Sequence, residues 1–287
     1  MMEKQMDQES TENLFRNNNI EIREISELES IDIVFRNHYS KIMPRLTSHY
    51  LGGFIDGKLI GTMTLGWGTR PHHTIAKLFP SLSTKDYLEI GKYAMEEYMP
   101  KNTESAFISK VVEWIKKNRK DIKILYSWAD AILGKTGKIY QASNFLYGGF
   151  IWTDLYITNK GEKVHPRTSQ GLTDKGDKKC GHRPTKEFLI ENSWNHYKGK
   201  QFRYLMFLCN KSEQRKLLKE STETWGRVYP KTVDLEWKIQ NLEDGDWHQV
   251  DSIAYNKEAS NLTNKTSLKN KDRLDDMNKS KEFFNFD

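Results

Sequence analysis

The chain has 287 residues, 37% hydrophobic and 29% charged, enough for one substantial core with a smaller lobe. Its formal charge is +6, but between Lys160 and Lys231 there are 17 Lys and Arg against 8 Asp and Glu, so the second half carries an excess of +9 and the remainder is slightly acidic. No apolar run approaches the roughly 20 residues that span a bilayer, the opening MMEKQMDQESTENLFRNNN lacks the apolar core of a signal peptide, and two cysteines, Cys180 and Cys209, cannot build a disulfide framework. These features point to a soluble cytoplasmic protein without a membrane partner, and the concentrated positive charge points to a polyanion, nucleic acid above others, against the plainer reading of a solvated loop.

Residues 1–18 are polar and read as disordered. Ile20, Ile22 and Ile25 alternate with charges as a first strand, and Glu27 to Val34 reads as a helix leading to His38, Tyr39 and Pro44. Tyr50–Ile55 and Lys58–Leu65 are joined by Asp56-Gly57, the strongest short signal for a hairpin. Pro71, His72 and His73 follow as a loop, and adjacent histidines seldom ligate one metal, so no metal site is expected there. The stretch from Asp86 to Tyr98 is mostly extended.

The stretch from Met99 to Gly149 organises the chain. Phe107, Ile108, Val111, Val112, Trp114 and Ile115 keep helical spacing, with an opening at Asn102 or Thr103, Glu104 and Ser105 in the first turn, and Lys116, Lys117, Arg119 and Lys120 at the end. Ile122, Ile124, Leu125 and Tyr126 are too short a run for a helix and form a central strand, which places Ser127, Trp128 and Asp130 at its carboxyl end, where open α/β sheets build sites. A short helix starts near Tyr140. FIWTDLYITNKGEKVH is a hairpin around Asn159-Lys160-Gly161, KQFRYLMFL is a buried strand, and Glu213–Glu220 is a helix. Between them, HPRTSQGLTDKGDKKCGHRPTK reads as a mobile basic loop, and its Cys180, His182 and His165 match no zinc spacing. The tail beyond about Asp244 is rich in Asn, Lys and Ser and reads as disordered.

The order of elements is that of a GNAT-type acyltransferase. The segments PKNTESAFIS, YSWADAILGKTGKIYQASNFLYGG and KQFRYLMFLCNKSEQRKLL ending in YPK resemble the Mom proteins of bacteriophages, over about residues 30–231. Composition and charge mark a basic DNA-binding insertion at about 160–200, a basic C-terminal extension and disordered termini, with a polar tail over 241–287. The resemblance implies an α/β (α+β) fold, a GNAT-like central mixed twisted sheet flanked by helices, in a catalytic domain over 19–240. It further implies a transferase that adds a carbamoylmethyl group to the 6-amino group of adenine in phage DNA, protecting that DNA from host restriction.

Carried over residue by residue, the family's functional positions match His38, Tyr39, Ser105, Asp130 and Tyr140, with Asn102, Thr103 and Ser105 holding the donor at a helix amino terminus. Each has a plain structural alternative: Ser105 as a helix cap, Asp130 as a cap of the loop GKTGK, Tyr140 as a core aromatic. Lys175, Lys178, Lys179, Arg183 and Lys186 are the phosphate contacts to double-stranded DNA, whose target adenine is extruded from the stack. Tyr39, Trp67, Trp128 and Tyr140 are candidates to stack on that base. PKNTES has no glycine where acetyl-CoA-using members of the superfamily carry a Gly-rich pyrophosphate turn, which leaves the donor open between acetyl-CoA and a glycyl donor such as glycyl-tRNA. Oligomeric state is left open. The rival readings are a GNAT acetyltransferase acting on a protein or small-molecule amine, and a non-catalytic basic DNA-binding module.

Overall fold

A computed structural model of the chain describes residues 19–68, 71–164, 166, 183–256 and 265–284. Strand β1 (Glu21–Glu24) leads into helix α1 (Glu27–Asn37), which Ser26 opens with a capping box: its hydroxyl accepts from Glu29 N at 3.2 Å, and Glu29 Oε2 accepts from Ser26 N at 2.8 Å. The hairpin β2 (Thr47–Ile55) and β3 (Lys58–Gly66) turns at Asp56-Gly57 with φ of 49° and 77°. Both central residues therefore take the left-handed conformation that matches strand twist. Helix α2 (Pro71–Leu78) stands where the sequence reading expected a loop. Pro71 supplies the fixed φ suited to a first helical position, and Ile75 and Leu78 anchor the helix in the core.

Strand β4 (Tyr87–Met95), helix α3 (Thr103–Asn118) and strand β5 (Ile124–Ala129) follow as a βαβ unit, then a 3-10 turn (Ala131–Leu133) and the short helix α4 (Lys138–Ala142). Strands β6 (Leu146–Ile157) and β7 (Lys163–Val164) form the expected hairpin. Helix α5 (Lys186–Glu191), strand β8 (Asn195–Phe207), helix α6 (Lys211–Glu220), strands β9 (Trp237–Gln240) and β10 (Trp247–Val250), and helix α7 (Lys265–Phe284) complete the chain.

The strands form one sheet in the order β1-β2-β3-β4-β5-β8-β6-β7, with β9 on the first half of β8 and β10 on β9. Only β4 and β5 run parallel, so the sheet is mixed and flanked by helices, as expected. On one face Phe107, Ile108, Val111 and Ile115 of α3 pack on Met63, Leu88, Leu125 and Tyr204. On another, α2 and α6 bring Ile75, Leu78 and Leu217 onto Tyr87, Ile124, Tyr126 and Leu205. Each such fully buried apolar side chain is worth about 1.5–3 kcal/mol, which fixes α3 against β4 and β5.

One expectation needs correction. The tail beyond Asp244 is not without structure: β10 pairs with β9, and α7 buries Leu274 beside Ile31, Ile33 and Val34 of α1, with Arg273 bonded to Glu27 at 2.9 Å. Few apolar positions in α7 carried enough signal to read. The basic loop at 165–186 lies almost wholly outside the described residues, and the rest of the stretch 160–200 holds β7, α5 and the start of β8. Residues 1–18, and Cys180, His165 and His182, lie outside the described residues. Among the described residues no helix is long and apolar enough to cross a membrane.

Candidate active site

The β4–β5 pairing covers only Tyr87–Glu89 against Ile124–Tyr126. Beyond it, β4 continues on β3 and β5 continues on β8, so the two parallel strands part. A cavity of about 740 Å³ opens at this divergence, and His38, Tyr39, Lys92, Asp130, Tyr140 and Gln201 all line it. Four of the five expected catalytic residues thus meet in one place, although they come from the end of α1, the end of β5 and α4.

Asp130 follows β5 directly. Its main-chain carbonyl accepts Leu133 N at 2.9 Å and Lys135 N at 3.1 Å, closing the turn, but its side chain makes no cap. The carboxylate instead accepts the Tyr39 hydroxyl on Oδ2 and Gln201 Nε2, at 3.2 Å, on Oδ1. The turn is pressed onto β8 at Gly199, where an added Cβ would lie 2.6 Å from Ile132 Cγ1 and 2.9 Å from Ile132 Cα. A glycine there lets the turn approach closely enough to present Asp130 beside Gln201.

The electrostatics separate the roles. Burial pushes the Tyr140 phenol up to about 12, with the neighbouring Ser127 hydroxyl offsetting part and the charges of Asp130 and Glu89 adding to it. Ser127 Oγ itself is buried without a hydrogen bond of ordinary geometry. The Tyr140 ring packs on Phe145 and Tyr204, with centroids 5.4 Å and 5.3 Å away, so it is both a core aromatic and a cavity wall. Tyr39 is 40% exposed as a whole, yet enclosure of its hydroxyl and the charge of Asp130 hold that phenol well above its ordinary value. Tyr39 therefore keeps its proton and donates it to Asp130. Burial, with the nearby Lys92 charge, pulls His38 down to about 2, so its ring is neutral. That ring stacks on Tyr39 at 4.2 Å, and the Ser40 amide donates to its Nδ1 at 2.9 Å. Burial likewise lowers the half-buried Lys92 amine to about 8; attraction to Asp130 opposes this, and repulsion from Lys163 and Lys41 adds to it.

Ser105 lies elsewhere. With Asn102, Thr103, Ser109 and Ser143 it lines a second cavity of about 930 Å³, between α3 and the end of α4. Glu104, the neighbour of Ser105 in the first turn of α3, lines the first cavity, so that turn stands between the two. The expected side-chain cap is absent: Asn102 makes no cap bond, and Thr103 Oγ1 and Ser105 Oγ donate to the carbonyls of Pro100 at 2.7 Å and Asn102 at 2.9 Å. Asn102 takes φ 76°, the left-handed conformation that asparagine tolerates better than most residues. The loop PKNTES thereby makes a turn of positive φ without a glycine.

Of the expected phosphate contacts, Lys175, Lys178 and Lys179 lie outside the described residues. Arg183 pairs with the buried Asp154 at 2.9 Å, and Lys186 donates to the Glu243 carbonyl at 2.7 Å. Trp67 is not a base-stacking residue of the cavity: its indole donates to Thr84 O at 2.7 Å and its ring packs on the core beside α2. Trp128 does line the cavity. Sequence reasoning passed over Lys92 and Gln201. Each is a polar residue inside a strand-like run, YLEIGKYAM and KQFRYLMFL, and that interruption was the available signal.

The model of the Mom protein family matches residues 19–231. Methylcarbamoylase mom of Escherichia phage Mu is 27% identical over 183 residues, covering 64% of this chain and 73% of that protein. Among solved structures, an acetyltransferase of Bacillus subtilis in complex with CoA is 13% identical at a TM-score of 0.35, over 67% of this chain and 99% of that one. A GNAT family acetyltransferase from Elizabethkingia anophelis with acetyl-CoA bound is 15% identical at a TM-score of 0.34, over 66% and 98%.

Proposed function

This chain belongs to the Mom protein family, and from that premise we propose that it is a transferase that adds a carbamoylmethyl group to the 6-amino group of adenine in DNA, protecting that DNA from restriction. One observation carries the reading: a carboxylate at the end of a central strand faces a cavity, caps nothing, and is held from both oxygens by Tyr39 and Gln201.

An ionised carboxylate offers about four acceptor sites, and two are taken. The remainder can accept an N–H of an extruded adenine and draw its proton as the nitrogen attacks. Extrusion costs a few kcal/mol, which a cavity of about 740 Å³ with Trp128 and Tyr140 in its wall offsets by enclosing the base. Tyr140, protonated up to about 12, is placed to act as general acid or as donor to the oxygen that gains charge. His38, neutral throughout the working range, acts by bracing Tyr39 rather than by moving a proton.

The second cavity is the donor site of this proposal, with Asn102, Thr103 and Ser105 at the amino end of α3. The positive φ at Asn102 lets this loop turn without a glycine, and the residues leave both donors open. Acetyl transfer alone would give an acetyl amide, so the product favours a glycyl donor. The adenine amino nitrogen displaces the donor hydroxyl to form a glycyl amide. The glycyl amine then attacks the ring carbon through a five-membered intermediate, and the original C–N bond breaks, leaving the carbamoylmethyl group on the incoming nitrogen.

Nucleoside mass analysis of plasmid DNA from cells expressing the chain and fed 15N-glycine tests both parts. A carbamoylmethyl-adenine species carrying the label at the ring-attached nitrogen supports the reaction and the donor. An unlabelled modified adenine removes the glycyl donor, and ordinary nucleosides alone move the assignment to acetylation of a protein or small amine, or to DNA binding without catalysis.

A further inference from the structure

Among the described residues no element covers the face of the sheet where β6, β8, β9 and β10 lie side by side. Phe150 and Trp152, alternate residues of β6, are each 40% exposed, with ring centroids 6.0 Å apart at 89°. Trp152 stands opposite Lys200 on β8, and Lys198, two residues back, stands opposite Lys238 on β9, so all four share one face of the sheet. Lys200 Nζ lies 4.8 Å from the Phe150 ring, Lys238 Nζ 4.7 Å from Trp152, and Lys198 Nζ 4.2 Å from Trp247 on β10. Each aromatic ring is thus fronted by an ammonium group.

Acidic neighbours do not balance these cations. Glu236 serves both Lys200, at 3.1 Å, and Lys238, at 3.4 Å, and Asp154 is committed to Arg183 and His196. Two of the three ridge lysines therefore share one carboxylate, and Asp154, opposite the third, Lys198, is already paired with Arg183. A second copy of the chain, at net +6, has the same overall sign as the ridge, and residues 165–182 of this chain also carry more Lys and Arg than Asp and Glu. Charge complementarity calls for a polyanion, and exposed rings between the charges call for one with accessible flat faces. Single-stranded nucleic acid has both, since its bases stack on aromatic rings while its phosphates meet lysines.

We propose that the ridge of Phe150, Trp152, Trp247 and the three lysines is a platform for single-stranded DNA, holding nucleotides that are unpaired beside the extruded base. Strand β8 joins it to the cavity, because Gln201, next to Lys200, is the residue that donates to Asp130. The stacking platform stands on the ridge itself; its assignment to DNA rests on the adenine-modifying reading of the cavity.

Fluorescence anisotropy of the full chain with fluorescein-labelled oligothymidylate, a hairpin duplex and oligouridylate tests this. The platform requires that the single-stranded DNA bind best, that Trp152→Ala weaken it at least about tenfold, and that Trp152→Phe restore it. Lys198→Gln with Lys238→Gln should lower the slope of log affinity against log salt by about one to two. Glu113→Gln, on the exposed side of α3 away from the ridge and the cavity, should bind as the wild type does. Binding unchanged in the ridge variants overturns the proposal. So does a fall in Tm without a change in binding, which would put a segment of this chain on the ridge. Preference for oligouridylate or for the duplex overturns the assignment to single-stranded DNA. Loss of binding in the ridge variants, beside plasmid that is never modified by the wild type, keeps the platform and removes the reading of the cavity.

Discussion

Replacing Lys92 with Met should stabilise the protein, by an amount that depends on pH in a defined way. Burial lowers this amine from its ordinary 10.5 to about 8, with attraction to Asp130 already counted against it. Each pH unit of such a difference is worth 1.36 kcal/mol, so the protonated amine withholds about 3 kcal/mol from folding. Below pH 8 both folded and unfolded chains hold the proton and the whole penalty applies. Between pH 8 and 10.5 the unfolded chain keeps its proton while the folded one releases it, so the wild type gains stability as pH rises. Lys92→Met carries no such group, and its advantage of about 3 kcal/mol at pH 7 should shrink to about 1 kcal/mol at pH 10. Urea unfolding followed by tryptophan fluorescence, with both proteins at both pH values, measures the difference directly. Equal stability at pH 7, or a gap that is the same at pH 10, would refute the placement of a desolvated ammonium in the cavity.

Tyr39→Phe removes a hydrogen bond to a charged acceptor, worth about 1.5–3 kcal/mol, and should lower Tm by several degrees and slow modification about 10- to 100-fold at a temperature where both proteins are folded; an unchanged rate would detach Tyr39 from the reaction. Gly199→Ala drives a methyl group against the Ile132 backbone and should cost about 1–3 kcal/mol of stability and most of the activity, read by thermal unfolding and by modified adenine in plasmid DNA. Lys178→Glu with Lys179→Glu should weaken binding to duplex DNA and flatten its salt dependence, and unchanged binding would move the phosphate contacts elsewhere.

Local signals made much of the scaffold legible. Asp56-Gly57 set a hairpin because few residues tolerate its turn, and the periodicity from Phe107 to Ile115 set the helix that covers the sheet. Periodicity failed where an element is polar: Lys265–Phe284 has only scattered apolar positions, and Pro71-His72-His73 looks like a loop until Ile75 and Leu78 are seen in the core. The candidate residues came from the family resemblance as a set, and their shared cavity was not legible in the sequence. His38, Tyr39, Asp130 and Tyr140 converge because β4 and β5 part after Glu89 and Tyr126, a tertiary event with no local code. Ser105 falls on the other side of the first turn of α3 for the same reason. Gln201 and Lys92 hid inside runs whose apolar neighbours governed their reading as strands.

On the proposed function, the carboxylate of Asp130 performs the modification of adenine. The most direct measurement is nucleoside mass analysis of plasmid DNA from cells expressing wild type or Asp130→Asn, with Tm measured on both purified proteins. Carbamoylmethyl-adenine is expected from the wild type and none from the variant, with both proteins folded, because the Asp130 side chain makes no cap and an amide in its place keeps one oxygen to accept the Tyr39 hydroxyl. Modified adenine at equal levels from both proteins would contradict it.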